Sequence, residues 1–151
     1  MKTPGSRAAA RDLIADADEA ERAGDLSAAA SKLRSHLAQR PDDAAVRLRL
    51  GRTLLSLGEL ASARDVVQPL EEQPDTRMAA ATNKLLATLD EAEGALTSAQ
   101  IRWERALADD IDDPEARAHL GALRPDQDAP WPSNLSLATL VSPEGVQTSR
   151  F

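Results

Sequence analysis

The stretch GELASARDVV, residues 58–67, carries the pattern that decides the fold. It recurs as GDLSAAASKL at residues 24–33 and as GALTSAQIRW at residues 94–103. Each copy has leucine two residues after the glycine, alanine five residues after it and a large apolar residue nine residues after it. The glycines are 34 and 36 residues apart, so the chain contains an internal repeat.

Helical periods flank each of these glycines. In the middle copy, Val46, Leu50, Leu54 and Leu57 fall on one helical stripe that precedes Gly58. Glycine adopts positive φ without a Cβ clash, so it suits the end of one helix and the reversal into the next. The alanine five residues later predicts the closest approach of the two helices. We therefore predict an all-α fold made of helix-turn-helix pairs.

Proline and aspartate mark the junctions between these pairs. Pro41 ends the second helix of the first pair, and the aspartates at 42 and 43 supply N-cap oxygens for the next helix. Residues 74–75 repeat this arrangement, and Asp113 followed by Pro114 gives a cap with proline in the first turn. Each junction therefore predicts the start of a new helix.

Pro69 departs from the repeat, because it falls within the predicted second helix of the middle pair. There it lacks a backbone donor and its ring clashes with the carbonyl of Asp65. We predict a kink or an early end of the helix at this point.

The pattern resembles the tetratricopeptide repeat, a helix-turn-helix unit of about 34 residues. Leu50-Gly51 matches the Leu-Gly pair of that family's first helix, and Leu86-Ala87 is close to it. The resemblance covers about residues 10 to 124 and implies a tetratricopeptide-like α-solenoid with an added capping helix. We place a helical domain at residues 7–124, with repeats at 10–43, 44–77 and 78–113 and the cap at 114–123.

Residues 125–151 differ in composition, with four prolines and no helical period, so we predict an extended tail or linker. Trp131 lies between two prolines, and we expect it either to pack on the last helix or to contact a partner. The ending SPEGVQTSRF is similar to the lead-in of bacterial serine/threonine protein kinase domains. That resemblance implies a regulatory N-terminal region of a longer kinase.

Composition excludes several classes of function. The net charge of −7 argues against nucleic acid and against anionic membrane surfaces as partners. Cysteine is absent, and no apolar run is long enough to span a membrane, so we expect a cytoplasmic protein. The excess of arginine over lysine and the abundance of alanine are associated with bacterial genomes rich in G and C.

We predict no catalytic, metal-binding or cofactor-binding residue, and therefore no enzyme within this chain. His36 and His119 are the two histidines, too few and too poorly placed for a zinc site or a catalytic triad. The acidic run at residues 109–113 lacks the glycine and the distal glutamate of a calcium loop. We interpret it as a solvated loop that ends in an N-cap.

The resemblance implies that the first helices of successive repeats line a concave groove for a protein or peptide. Arg49, Arg52 and Lys84 form a candidate basic centre suited to a carboxylate or phosphate, with intramolecular ion pairs as the alternative. The predicted function is a protein-protein interaction module, with a kinase regulatory region or a self-associating domain as alternatives. The groove residues are Asp18, Arg22, Leu48, Arg49, Arg52, Leu55, Lys84, Thr88 and His119.

Overall fold

A computed structural model describes residues 4–72 and 76–124, and within them it contains seven α-helices and one 3-10 helix. The predicted all-α fold is confirmed. Successive helices pack in chain order, the first against the second, the third against the fourth and the fifth against the sixth. The helices are α1 (Pro4–Arg22), α2 (Leu26–Gln39), α3 (Ala44–Ser56), α4 (Leu60–Val67), α5 (Thr76–Ala92), α6 (Leu96–Asp109) and α7 (Pro114–Leu123).

A glycine of positive φ makes the turn within each of the three pairs, as predicted. Gly24, Gly58 and Gly94 have φ values of 78°, 77° and 79°. The residue after each glycine donates its backbone N–H to a carbonyl five residues back, which satisfies the end of the first helix; Glu59, for example, donates to Leu54 at 2.9 Å. The repeat spacing therefore coincides with a repeated backbone turn.

The alanines and large apolar residues of the repeat are all fully buried. Ala29, Ala63 and Ala99 have no exposed surface where the second helices cross the first. The large residues nine positions after each glycine are also completely buried: Leu33, Val67 and Trp103. Small side chains thus permit close helix packing, and the larger ones fill the space between successive pairs.

Aspartate side chains begin three of the helices. Asp25 caps α2 by accepting from the backbone N–H of Ala28 at 2.9 Å. Asp43 caps α3, and Asp113 caps α7 ahead of a proline in its first turn, as predicted, whereas Asp42 does not contribute to the cap of α3. The stop predicted at residues 74–75 lies outside the described residues.

The predicted early end at Pro69 is confirmed. The α-helix α4 stops at Val67, and a 3-10 helix follows over Gln68–Glu72. The change to this narrower helix occurs next to Pro69, which has no backbone N–H to donate, and Leu70 within it is buried. The repeat boundaries given above stay predictions, and the tail at residues 125–151 lies outside the described part of the chain.

Candidate functional site

The first helices of the successive pairs lie side by side and carry most of the predicted groove. Arg49 of α3 reaches Asp18 of α1, α3 packs against α5, and Lys84 of α5 reaches Glu115 of α7. We call the predicted groove residues that are exposed or half-buried on these helices the first-helix row. They are Asp18, Arg22, Arg49, Arg52, Leu55, Lys84, Thr88 and His119.

Arg49 is paired with two carboxylates of α1. Its Nε donates to Oε1 of Glu21 at 3.0 Å, and its Nη2 donates to Oε2 of Glu21 at 2.7 Å and to Oδ1 of Asp18 at 2.5 Å. The hydrogen bonds to Glu21, followed by those to Asp18, raise the pKa of Arg49 above its ordinary value despite partial burial. Arg49 therefore cross-links α1 and α3, and its charge is already neutralised.

Lys84 is neutralised in the same way at the other end of the row. Its Nζ donates to Oε2 of Glu115 at 2.9 Å and pairs with Oδ2 of Asp113, which caps α7. The hydrogen bond to Asp113 is the largest cause of the raised pKa of Lys84. The same contact lowers the pKa of Asp113. Lys84 therefore fixes α7 against α5.

Arg52 differs from both of these cations. It lies three residues after Arg49, on the same face of α3, and is exposed. Within residues 4–72 and 76–124 its side chain makes no ion pair and no hydrogen bond. Of the three cations in the predicted basic centre, Arg52 is therefore the one without a partner among the described residues.

His119 of α7 contacts Glu91 of α5 and Trp103 of α6. Its ring stacks on Trp103 with centroids 4.2 Å apart and an interplanar angle of 12°. Its Nδ1 lies 2.9 Å from Oε1 of Glu91, and Nε1 of Trp103 donates to the same oxygen at 2.5 Å. The His119 side chain is 34% exposed, so one edge of the ring faces solvent at the end of the row.

Leu48 requires a correction, because it does not line the groove. Its exposed fraction is 5%, and it belongs to the main hydrophobic core. The side chain points between the helices, where burial stabilises it more than exposure would. Leu55 is half-buried, and Thr88 donates from Oγ1 to the carbonyl of Lys84 at 2.9 Å.

The remaining predicted groove residues have different surroundings. Asp18 is half-buried against Arg49, whereas Arg22 is exposed at the end of α1. Trp131 lies outside the described residues. The role of these groove residues in binding a partner stays a prediction.

Comparison with known proteins identifies the fold of this helical array. Residues 20–89 match the family profile of the tetratricopeptide repeat. Thirteen chains among the solved structures match, and the crystal structure of the MamA protein superposes with a TM-score of 0.69 at 19% sequence identity. The fold is a tetratricopeptide-like α-solenoid. The alignment covers 79% of this chain and 64% of the MamA chain, and the search of curated proteins found no match.

The sequence left intramolecular ion pairs open as the alternative for these cations, but it did not identify the carboxylates that neutralise Arg49 and Lys84. Glu21 lies 28 residues before Arg49, and Glu115 lies 31 residues after Lys84. The available signal was opposite charge on corresponding faces of successive first helices. That signal does not determine which acidic residue pairs with which cation, because the lateral offset between the helices depends on how their buried side chains pack.

The histidines of the solenoid have structural contacts on their ring nitrogens. His36 is buried, with Nδ1 donating to the carbonyl of Ala10 at 3.1 Å and Nε2 lying 2.9 Å from Oδ2 of Asp43. In the described part of the chain, no three or more His, Cys, Asp or Glu residues cluster as metal ligands would. None of the described helices has both the length and the apolar character needed to cross a bilayer.

Two alternatives from the sequence have not been tested. The kinase-like lead-in at residues 142–151 lies outside the described residues and outside the family match. Self-association through the ends of the solenoid likewise stays a prediction.

Proposed function

We propose that this solenoid is a protein-protein interaction module and that the first-helix row binds a polypeptide segment. The observation that carries the proposal is the environment of Arg52. It is exposed at the middle of the row, and no ion pair with a described residue satisfies it. The neighbouring cations Arg49 and Lys84 are both occupied by carboxylates of the protein itself.

The surroundings of Arg52 suit a peptide better than a small ion. Half-buried Leu55 lies one helical turn after Arg52 and offers apolar contact. Thr88 of the neighbouring helix α5 already donates its hydroxyl to the carbonyl of Lys84, so its oxygen can only accept from a ligand. A guanidinium offers five N–H donors in a planar fork, which fits a peptide carboxylate or two backbone carbonyls. The row thus combines one polar anchor with adjacent apolar surface, as peptide grooves usually do.

Support for an interaction role also comes from the fold. A stacked array of helix pairs exposes one long face formed by its first helices, and such faces bind extended ligands. The ion pairs of Arg49 and Lys84 hold α1 to α3 and α5 to α7. A fixed surface loses less conformational entropy when a ligand binds.

The proposal is tested by selecting ligands from a displayed library of random peptides on the full chain. We expect peptides that carry at least one carboxylate, and we expect Arg52→Glu to weaken their binding by about tenfold or more, since reversing a paired charge costs over 1.4 kcal/mol.

Arg105→Glu serves as the control, because Arg105 is an exposed arginine on the second helix α6 whose ion pair to Glu71 is long at 3.9 Å. Its substitution should leave peptide affinity unchanged. Peptides that bind both variants and the original chain equally would place the binding site elsewhere, and the proposal would then fail.

A further inference from the structure

The last helix, α7, has the register of a first helix, and within the described residues, which end at Arg124, no second helix follows it. It begins after Asp113 as α3 begins after Asp43, and each aspartate accepts from the backbone N–H three residues on, at 3.1 Å. Gly51 and Gly121 each lie eight residues after the capping aspartate, and each follows a leucine. Helices α3 and α7 can therefore be compared position by position.

The comparison shows that, among the described residues, no atom packs against the backbone of α7 at Gly121. A β-carbon placed on Gly51 would overlap Cγ2 of Val67, because α4 crosses α3 at this point. A β-carbon placed on Gly121 would meet no atom of the described residues within 4 Å. Leu50 is 1% exposed beneath α4, whereas the equivalent Leu120 is only half-buried.

Gly121 lowers the intrinsic helical stability of α7, and no packing among the described residues offsets this loss. Glycine inside a helix is about 1 kcal/mol less favourable than alanine, because it loses more backbone freedom. At Gly51 the close approach of α4 leaves no room for a side chain. At Gly121 no described residue uses the space, so the position is suited to a segment that packs close to the backbone.

We propose that residues 131–141 of the same chain cover the face of α7 that carries Gly121. In the three preceding pairs, the segment that directly follows a first helix packs on that helix. The 27 residues at 125–151 directly follow α7. Their large apolar side chains are concentrated in this stretch: Trp131, Leu135, Leu137, Leu140 and Val141.

The chain length allows this contact. The seven residues from Arg124 to Trp131 can span roughly 23 Å when extended. Helix α7 has ten residues and is therefore about 15 Å long. Trp131 can thus reach any position along α7, including the open space at Gly121 and the half-buried Leu120. This proposal does not depend on peptide binding by the first-helix row.

The experiment uses the full chain labelled with 5-fluorotryptophan, which gives one fluorine resonance for Trp103 and one for Trp131. Trp131→Phe assigns the two signals. We expect the Trp131 resonance to show little shift between H₂O and D₂O in the unmodified chain, because the docked ring is shielded from solvent. Gly121→Glu should introduce a large solvent shift, because the longer charged side chain occupies the docking space.

Ala122→Glu is the matched control. Ala122 is exposed on the same helix at the register of Arg52, so it belongs to a different face. This variant should leave Trp131 shielded, and an unchanged Trp103 resonance in both variants would show that the fold is intact. A Trp131 ring that is already solvent-exposed, or one insensitive to Gly121→Glu, would overturn the proposal.

The same samples distinguish a second copy of the chain from the proposed tail. If a second copy covered Gly121, light scattering would give a dimer mass, and Trp131 shielding would fall on dilution. A monomer mass with shielding that is independent of concentration supports docking within one chain.

Discussion

Gly51 of α3 and Val67 of α4 are packed so closely that a β-carbon on Gly51 would overlap Cγ2 of Val67. The same β-carbon would lie 3.0 Å from Cδ2 of Leu85. Glycine is therefore required here by the crossing of two helices, although its φ lies in the ordinary helical region. This contact holds the second pair together and sets its distance from the third.

We expect Gly51→Ala to lower the free energy of unfolding by about 1–3 kcal/mol, because overpacking forces α4 away from α3. Chemical denaturation followed by far-UV circular dichroism measures the change. The double variant Gly51→Ala/Val67→Ala removes the valine methyl group that a β-carbon at residue 51 would overlap. Its loss of unfolding free energy should therefore be smaller than the sum of the losses of the two single variants. Strictly additive losses would contradict the close contact.

Asp90 is the centre of a largely buried ion-pair cluster, and we expect its removal to be costly. It is 3% exposed, and its carboxylate accepts from Arg64 at 2.6 Å and from Arg102 at 2.9 Å. Asp90→Ala would leave both guanidinium groups without this partner, which should lower the free energy of unfolding by about 2–3 kcal/mol. Thermal unfolding by calorimetry measures the loss.

Asp65→Ala is the control for Asp90, because Asp65 is an exposed aspartate on α4. Its substitution should change the free energy of unfolding by less than about 0.5 kcal/mol. Equal losses at the two positions would mean that the cluster contributes nothing beyond an ordinary surface charge.

Asp113 should make stability depend on pH in the acidic range. The hydrogen bond from Lys84, and then that from the N–H of Ala116, lower the pKa of Asp113 in the folded protein. The contribution of the Asp113 charge to the free energy of unfolding is therefore complete above the pKa of a free aspartate, about 3.9. It is lost as the pH falls through the lower pKa that Asp113 has in the folded protein. Denaturant midpoints measured from neutral pH down into this range should show the loss.

Asp113→Asn isolates this effect, since asparagine still caps a helix but carries no charge. The variant should be less stable at neutral pH, and the difference from the original chain should shrink on acidification. A constant difference across the titration would show that the charge of Asp113 does not contribute.

The sequence by itself determined the architecture, because local patterns encode it. Glycine at 24, 58 and 94 specified three turns, and the buried alanines and large residues that follow specified the crossing of each pair. Pro69 likewise ended α4 early, since proline removes a backbone donor whatever its surroundings. Such features depend on residues that are close in the chain.

The tertiary structure alone decided the state of the candidate site. Arg49, Arg52 and Lys84 are all cationic, yet among the described residues distant carboxylates neutralise Arg49 and Lys84 but not Arg52. Leu48 likewise fits a groove pattern but lies in the core. Which charges pair and which side chains are exposed depends on the lateral offset between helices, and packing over the whole core fixes that offset.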